Sequence, residues 1–155
     1  MFEKKDFQNI LGKLPTKMHR LGCYRGVSFH VYPPYAFNPP DGEQTIRITR
    51  APKADSDNGI DFWLCSEWLQ GWTGREEYFA GYLSGSAFEP ISERSFNDLV
   101  ADRCVDLIVR PELPLKAIGK FLGAVLLYSM KTDFIVSLVA EYEDEFIHFY
   151  WDTTA

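Results

Sequence analysis

The period of the hydrophobic positions changes several times along the chain, and each change marks an element. Phe2, Phe7, Ile10, Leu11 and Leu14 recur at roughly helical intervals and predict a short amphipathic helix over residues 2–14. Between Tyr24 and Tyr32, Val27, Phe29 and Val31 alternate with Ser28 and His30, the period of a half-buried strand. The proline pairs at 33–34 and 39–40 bracket a loop that is extended or turning. Thr45–Arg50 alternates again, with Ile46 and Ile48 opposed to Thr45, Arg47 and Thr49. Residues 51–59 read as a polar turn closing on Asn58-Gly59. Ile60, Phe62 and Leu64 then predict a third strand, making an antiparallel meander.

Residues 65–90 mix aromatics with glycines and predict mostly irregular chain, with a short helix near Arg75–Tyr82. Ser95 is placed to cap a helix over Phe96–Ile108, where Leu99, Val100, Cys104 and Leu107 recur helically and Pro111 ends the run. Pro114 predicts the first turn of another helix, with Leu115, Ile118, Leu122, Val125 and Leu126 on one face. Gly119 and Gly123 would let that helix approach the sheet closely. Asp133–Tyr142 and Glu145–Asp152 read as two strands joined at Glu143-Asp144. Phe134, Val136, Leu138 and Ala140 share one face, and Ile135, Val139, Ile147, Phe149 and Trp151 supply the other apolar set, which puts the hairpin inside the sheet. The expected architecture is a single α+β domain over residues 1–155, a largely antiparallel sheet with helices packed on one side.

The chain has 155 residues, 46% hydrophobic and 25% charged, which suits a globular domain with its own core. Its net charge of −6 is unevenly placed. All 16 Lys and Arg precede residue 132, with 16 of the 22 Asp and Glu, so the whole deficit lies in the last 23 residues. A phosphate-backbone binder needs a basic excess, so nucleic acid is not an expected partner. Cys23, Cys65 and Cys104 are too few and too scattered for a disulfide framework and fit reduced thiols in the cytoplasm. Met1–Lys13 lacks the apolar run of a signal peptide, and the longest apolar run, Phe121–Met130, is half the length of a membrane crossing.

No phosphate-binding loop, dinucleotide fingerprint, zinc-protease motif or nucleophile elbow is present. His19 and Cys23 are four apart but lack a second ligand pair, so no metal or cofactor is expected. Glu76 and Glu77 are adjacent and do not face one another on a helix. Two features ask for more than a packed core. Three tryptophans fall within Phe62–Trp72, a contact platform or a core corner. Acidic residues crowd the final hairpin at Glu141, Glu143, Asp144 and Glu145 and resume at Asp152, either a solvated tip or a docking face for a basic partner.

The ending EYEDEFIHFYWDTTA, following a helical and a strand segment, resembles the immunity proteins of bacterial polymorphic and contact-dependent toxin systems. The short, acidic, aromatic-rich profile without catalytic motifs is similar to theirs. The resemblance implies a non-enzymatic protein that binds and neutralises a cognate toxin domain, often a nuclease with a basic cleft. These families share no common motif, so the contact residues follow from this chain alone. Glu141, Glu143, Asp144, Glu145 and Asp152 would stand in for substrate phosphates, and Trp68 and Trp72 would be apolar anchors. The alternative is a small-molecule-binding or enzymatic domain using the aromatic middle, with His30 and His148 meeting across a sheet.

Overall fold

A computed structural model describes residues 3–11, 24–39, 42–53, 57–72, 74–128 and 134–153. The elements in chain order are α1 (Lys4–Leu11), β1 (Ser28–Tyr32), β2 (Gln44–Pro52), α2 (Ile60–Leu69), α3 (Glu76–Ser84), β3 (Ala87–Ile91), α4 (Glu93–Arg103), β4 (Phe121–Tyr128), β5 (Ile135–Tyr142) and β6 (Glu145–Thr153). Six strands form one antiparallel sheet in the order β1-β2-β6-β5-β4-β3, and with four helices the fold is α+β.

The β5–β6 hairpin lies at the centre, as its apolar content on both faces requires. Its register differs from the expected one. Leu138 pairs with Phe149 and Ala140 with Ile147, so the odd-numbered apolar residues of β6 join the even-numbered ones of β5. A two-residue turn makes partner numbers sum to an odd value, and cross-strand partners share a face. Ile147, Phe149 and Trp151 therefore pack with Val136, Leu138 and Ala140 in one core, together with Phe96, Val100 and Cys104 around α4. The second core, on the opposite face, joins Phe7, Phe79, Leu83 and the α2 residues to Val125, Leu127, Val139 and Phe146. Helices thus cover both faces, α1 to α3 on one and α4 on the other, where one-sided packing was expected. A central strand apolar on both sides needs a cover on each.

Two expected elements change type. Ile60, Phe62 and Leu64 lie in helix α2, where every residue from Ile60 to Glu67 except Asp61 is buried. Its alternation was incidental, because Trp63 between them is as buried as they are. The Asp57-Asn58-Gly59 turn starts this helix: Gly59 N donates to Asp57 Oδ1 at 2.9 Å and Ile60 N to Asn58 Oδ1 at 3.2 Å. Conversely, the helix expected after Pro114 is irregular chain followed by strand β4. Ile118 and Leu122 are exposed, and Val125 and Leu126 belong to opposite cores. Gly119 has φ +90°, and a Cβ there would lie 2.7 Å from Glu143 Cβ, so it lets the chain pass close to the β5–β6 turn rather than packing a helix. Gly123 sits at a register shift between β4 and β5.

Three smaller differences follow local chemistry. Helix α4 is capped by Ser92, whose Oγ accepts from Ser95 N at 3.1 Å, so the chain turns helical earlier than expected and ends at Arg103. β3 begins in the stretch expected to be irregular, and its Pro90 is accommodated because β3 is a sheet edge, where a missing N–H is tolerated. β1 is the opposite edge, and Phe29 and Val31 are left about 40% exposed rather than half-buried (40% and 41%). No described helix is long and apolar enough to cross a membrane. His19 and Cys23 lie outside the described residues.

Candidate functional site

The acidic hairpin separates into parts with different jobs. Glu145 is buried; its Oε1 takes Arg50 Nε at 2.6 Å and its Oε2 takes both Arg50 and Ile118 N. Arg50 also donates to the carbonyl of Lys116, which pins the chain before β4. Glu141 is buried against Lys53, with Nζ to Oε1 at 2.8 Å. These two carboxylates are consumed inside the fold and are not a docking face. Glu143 and Asp144 are exposed at the turn. Asp152 lies at the other end of β6, roughly 25 Å away at the rise of an extended strand. Trp68 packs on Phe79 at 5.5 Å, and Trp72 contacts Phe79 and Tyr82 at 5.3 and 5.0 Å. No single surface holds all seven expected contact residues.

Trp72 and Asp152 do meet, at a cleft of about 250 Å³ on the face covered by α2 and α3. Arg47 of β2, Glu67 of α2, Gln70 and Arg75 from the α2–α3 connection, Tyr82 of α3, Ser137 of β5 and Tyr150 of β6 complete most of its lining. The sheet register explains the convergence: Arg47, Tyr150, Ser137 and Leu127 are successive cross-strand partners, one row across four strands. Arg47 lies over the Tyr150 ring at 5.5 Å and Arg75 over Trp72 at 5.1 Å. Tyr150 donates to Asp152 Oδ2 at 3.1 Å.

Behind the cleft is a buried polar cluster that sequence reasoning did not anticipate. Trp63 Nε1 and Tyr82 OH donate to Glu67 Oε1 at 3.0 and 3.3 Å. Burial outweighs these two bonds and pushes the Glu67 carboxyl up to about 7. His148 Nε2 stands 3.9 Å from the same oxygen, and burial pulls its imidazole down to about 3. The ring is therefore neutral at pH 7. Ser66 Oγ donates its proton to the Trp63 carbonyl at 2.8 Å, so His148 Nδ1–H donates to Ser66 Oγ at 2.6 Å, and Nε2 accepts from Ser137 at 2.8 Å. Only adjacency of Ser66-Glu67 to a tryptophan-rich run hinted at this in sequence.

The Ser137–His148 contact has the distance of a nucleophile and its base, but it lacks what activates such a pair. The group behind the imidazole is a hydroxyl rather than a carboxylate, and burial opposes the imidazolium that proton transfer would form. His30 does not join it. His30 pairs with Ile48 and His148 with Thr49, so the two histidines point to opposite faces of the sheet. Cys65 and Cys104 are buried, and burial raises the Cys104 thiol to about 11. Among the described residues, no group of three His, Cys, Asp or Glu side chains could hold a metal. Comparison with protein-family models, curated proteins and solved structures returns no match.

Proposed function

We propose that the protein is a non-catalytic binding module that neutralises a protein partner, in the manner of an immunity protein. What carries the reading is the setting of the cleft. Its lining is rich in Trp, Tyr and Arg, the residue types that dominate protein interfaces. Exposed apolar side chains flank it: Val31 stands opposite Arg47 with Phe29 beyond it, and Ile135 lines the cleft. Drug-sized ligands occupy about 300–1,000 Å³, and this cleft is smaller but open to a partner's side chain. Contact moves from the acidic hairpin to this face, with Trp72 and Asp152 retained and Glu143 and Asp144 left to steer approach.

The test is co-expression with a toxin domain encoded beside this gene, scored by growth. Val31→Lys and Ile135→Lys, at exposed positions, should abolish protection and weaken binding by about tenfold or more with little loss of stability. Full protection by both variants would remove this face from the interface. The small-molecule reading keeps one observation in its favour, the two guanidinium groups in the cleft that have no carboxylate partner.

A further inference from the structure

Arg47 and Arg75 come from different elements and converge on one small cleft, yet neither forms an ion pair among the described residues. Each is held by a ring, and Arg75 gives one donor to the Gly71 carbonyl at 3.2 Å. Neither guanidinium is closed off from solvent, so both are open to a ligand. Gln70 Nε2, in the same lining, is buried and has no acceptor at all. Asp152 carries the one lining carboxylate apart from Glu67, and it is engaged by the Tyr150 hydroxyl.

We propose that the cleft is a subsite for one oxyanion, a carboxylate or a sulfate-like group, gripped by the Arg47 and Arg75 guanidiniums. A guanidinium presents a planar fork of donors that fits such a group, and an oxyanion supplies the negative charge that neither arginine meets among the described residues. The site rests on the cleft itself and is indifferent to whether a partner's acidic side chain or a free small acid delivers the group.

Glu67 at the cleft floor sets the pH dependence. Trp63, Tyr82 and His148 face its carboxyl, and Arg47, Arg75, Tyr150 and Asp152 line the cleft around it. Burial holds the Glu67 proton on to about 7, keeps His148 neutral far below that, and raises the Tyr82 and Tyr150 hydroxyls, so of these four Glu67 changes charge near neutrality. Ionised, it repels an oxyanion bound beside it; protonated, it does not.

The experiment is a titration of the isotopically labelled full chain with sulfate and with N-acetyl-L-aspartate, followed by amide NMR shifts, with N-acetyl-L-asparagine amide as neutral control. Saturable shifts centred on residues 47, 70, 75 and 150–152 are expected for the two anions, tighter at about pH 6 than at about pH 8. Arg75→Gln, at an exposed side chain, should weaken binding by about fivefold or more. Arg47→Gln should do the same where it folds, and Glu67→Gln should keep binding and lose the pH difference. Equal binding of the neutral control, or unchanged affinity in Arg75→Gln, overturns the oxyanion site whatever any partner assay shows. Anion binding with no effect of Arg75→Gln on partner capture supports the site and removes the partner from it.

Discussion

Glu67 and His148 are both held uncharged by burial, with opposite consequences for stability. The folded Glu67 carboxyl titrates near 7 against an ordinary 4.5, so the folded state binds its proton more tightly than the unfolded state. That contribution is complete below about pH 4.5 and is lost as pH rises through 7. His148 titrates near 3 against an ordinary 6.5, so the unfolded state binds its proton more tightly, and stability falls as pH drops from about 6.5 toward 3. Between about pH 4.5 and 6.5 the two slopes oppose each other. Glu67→Gln removes only the first. The variant should therefore gain stability with rising pH across that window more steeply than the wild type, and should gain on the wild type up to about pH 7, above which the difference between the two stays constant. Denaturant unfolding at several pH values checks this, and identical profiles for the two proteins would mean that Glu67 ionises normally in the fold. None of this was visible in sequence, where Glu67 is one acid among 22 and His148 one polar position in a strand.

At the scale of elements, the final hairpin shows how position sorts identical chemistry. Glu145→Ala leaves Arg50 and the Ile118 N–H without their acceptor and should cost about 3 kcal/mol. Glu143→Ala and Asp144→Ala, at the exposed turn, should stay within about 0.5 kcal/mol. Chemical denaturation of the three variants decides it; equal costs would refute the division into structural and free carboxylates. Gly119→Ala tests the neighbouring contact, since a Cβ there meets Glu143 Cβ at 2.7 Å in a left-handed backbone conformation. A loss of about 1–3 kcal/mol is expected. The hairpin itself was legible because its strands are long, apolar on both faces and joined by an acidic turn. α2 was not, because a run buried on every side loses the period that separates helix from strand, and β4 was not, because Leu115, Ile118, Leu122, Val125 and Leu126 fall by chance at helical spacing.

Across the molecule, the sheet order sets a gradient of protection. β5 and β6 are flanked by strands on both sides and covered on both faces, whereas β1 is an edge with exposed side chains. Hydrogen exchange should find the slowest amides in β5 and β6 and much faster ones in β1. Slowest exchange in β1 would contradict the strand order. The sequence by itself determined the α+β class, the central hairpin, α4, and the concentration of acidic charge in the last 23 residues, because propensity, caps and net charge act locally or simply add. Tertiary structure decided which face each β6 side chain joins, which apolar runs became helix or strand, and which acids remained free. It also made the cleft, whose lining comes from β2, α2, α3, β4, β5, β6 and the α2–α3 connection. Arg47 and Tyr150 are 103 positions apart in sequence, and only the pairing of β2 with β6 puts them in contact.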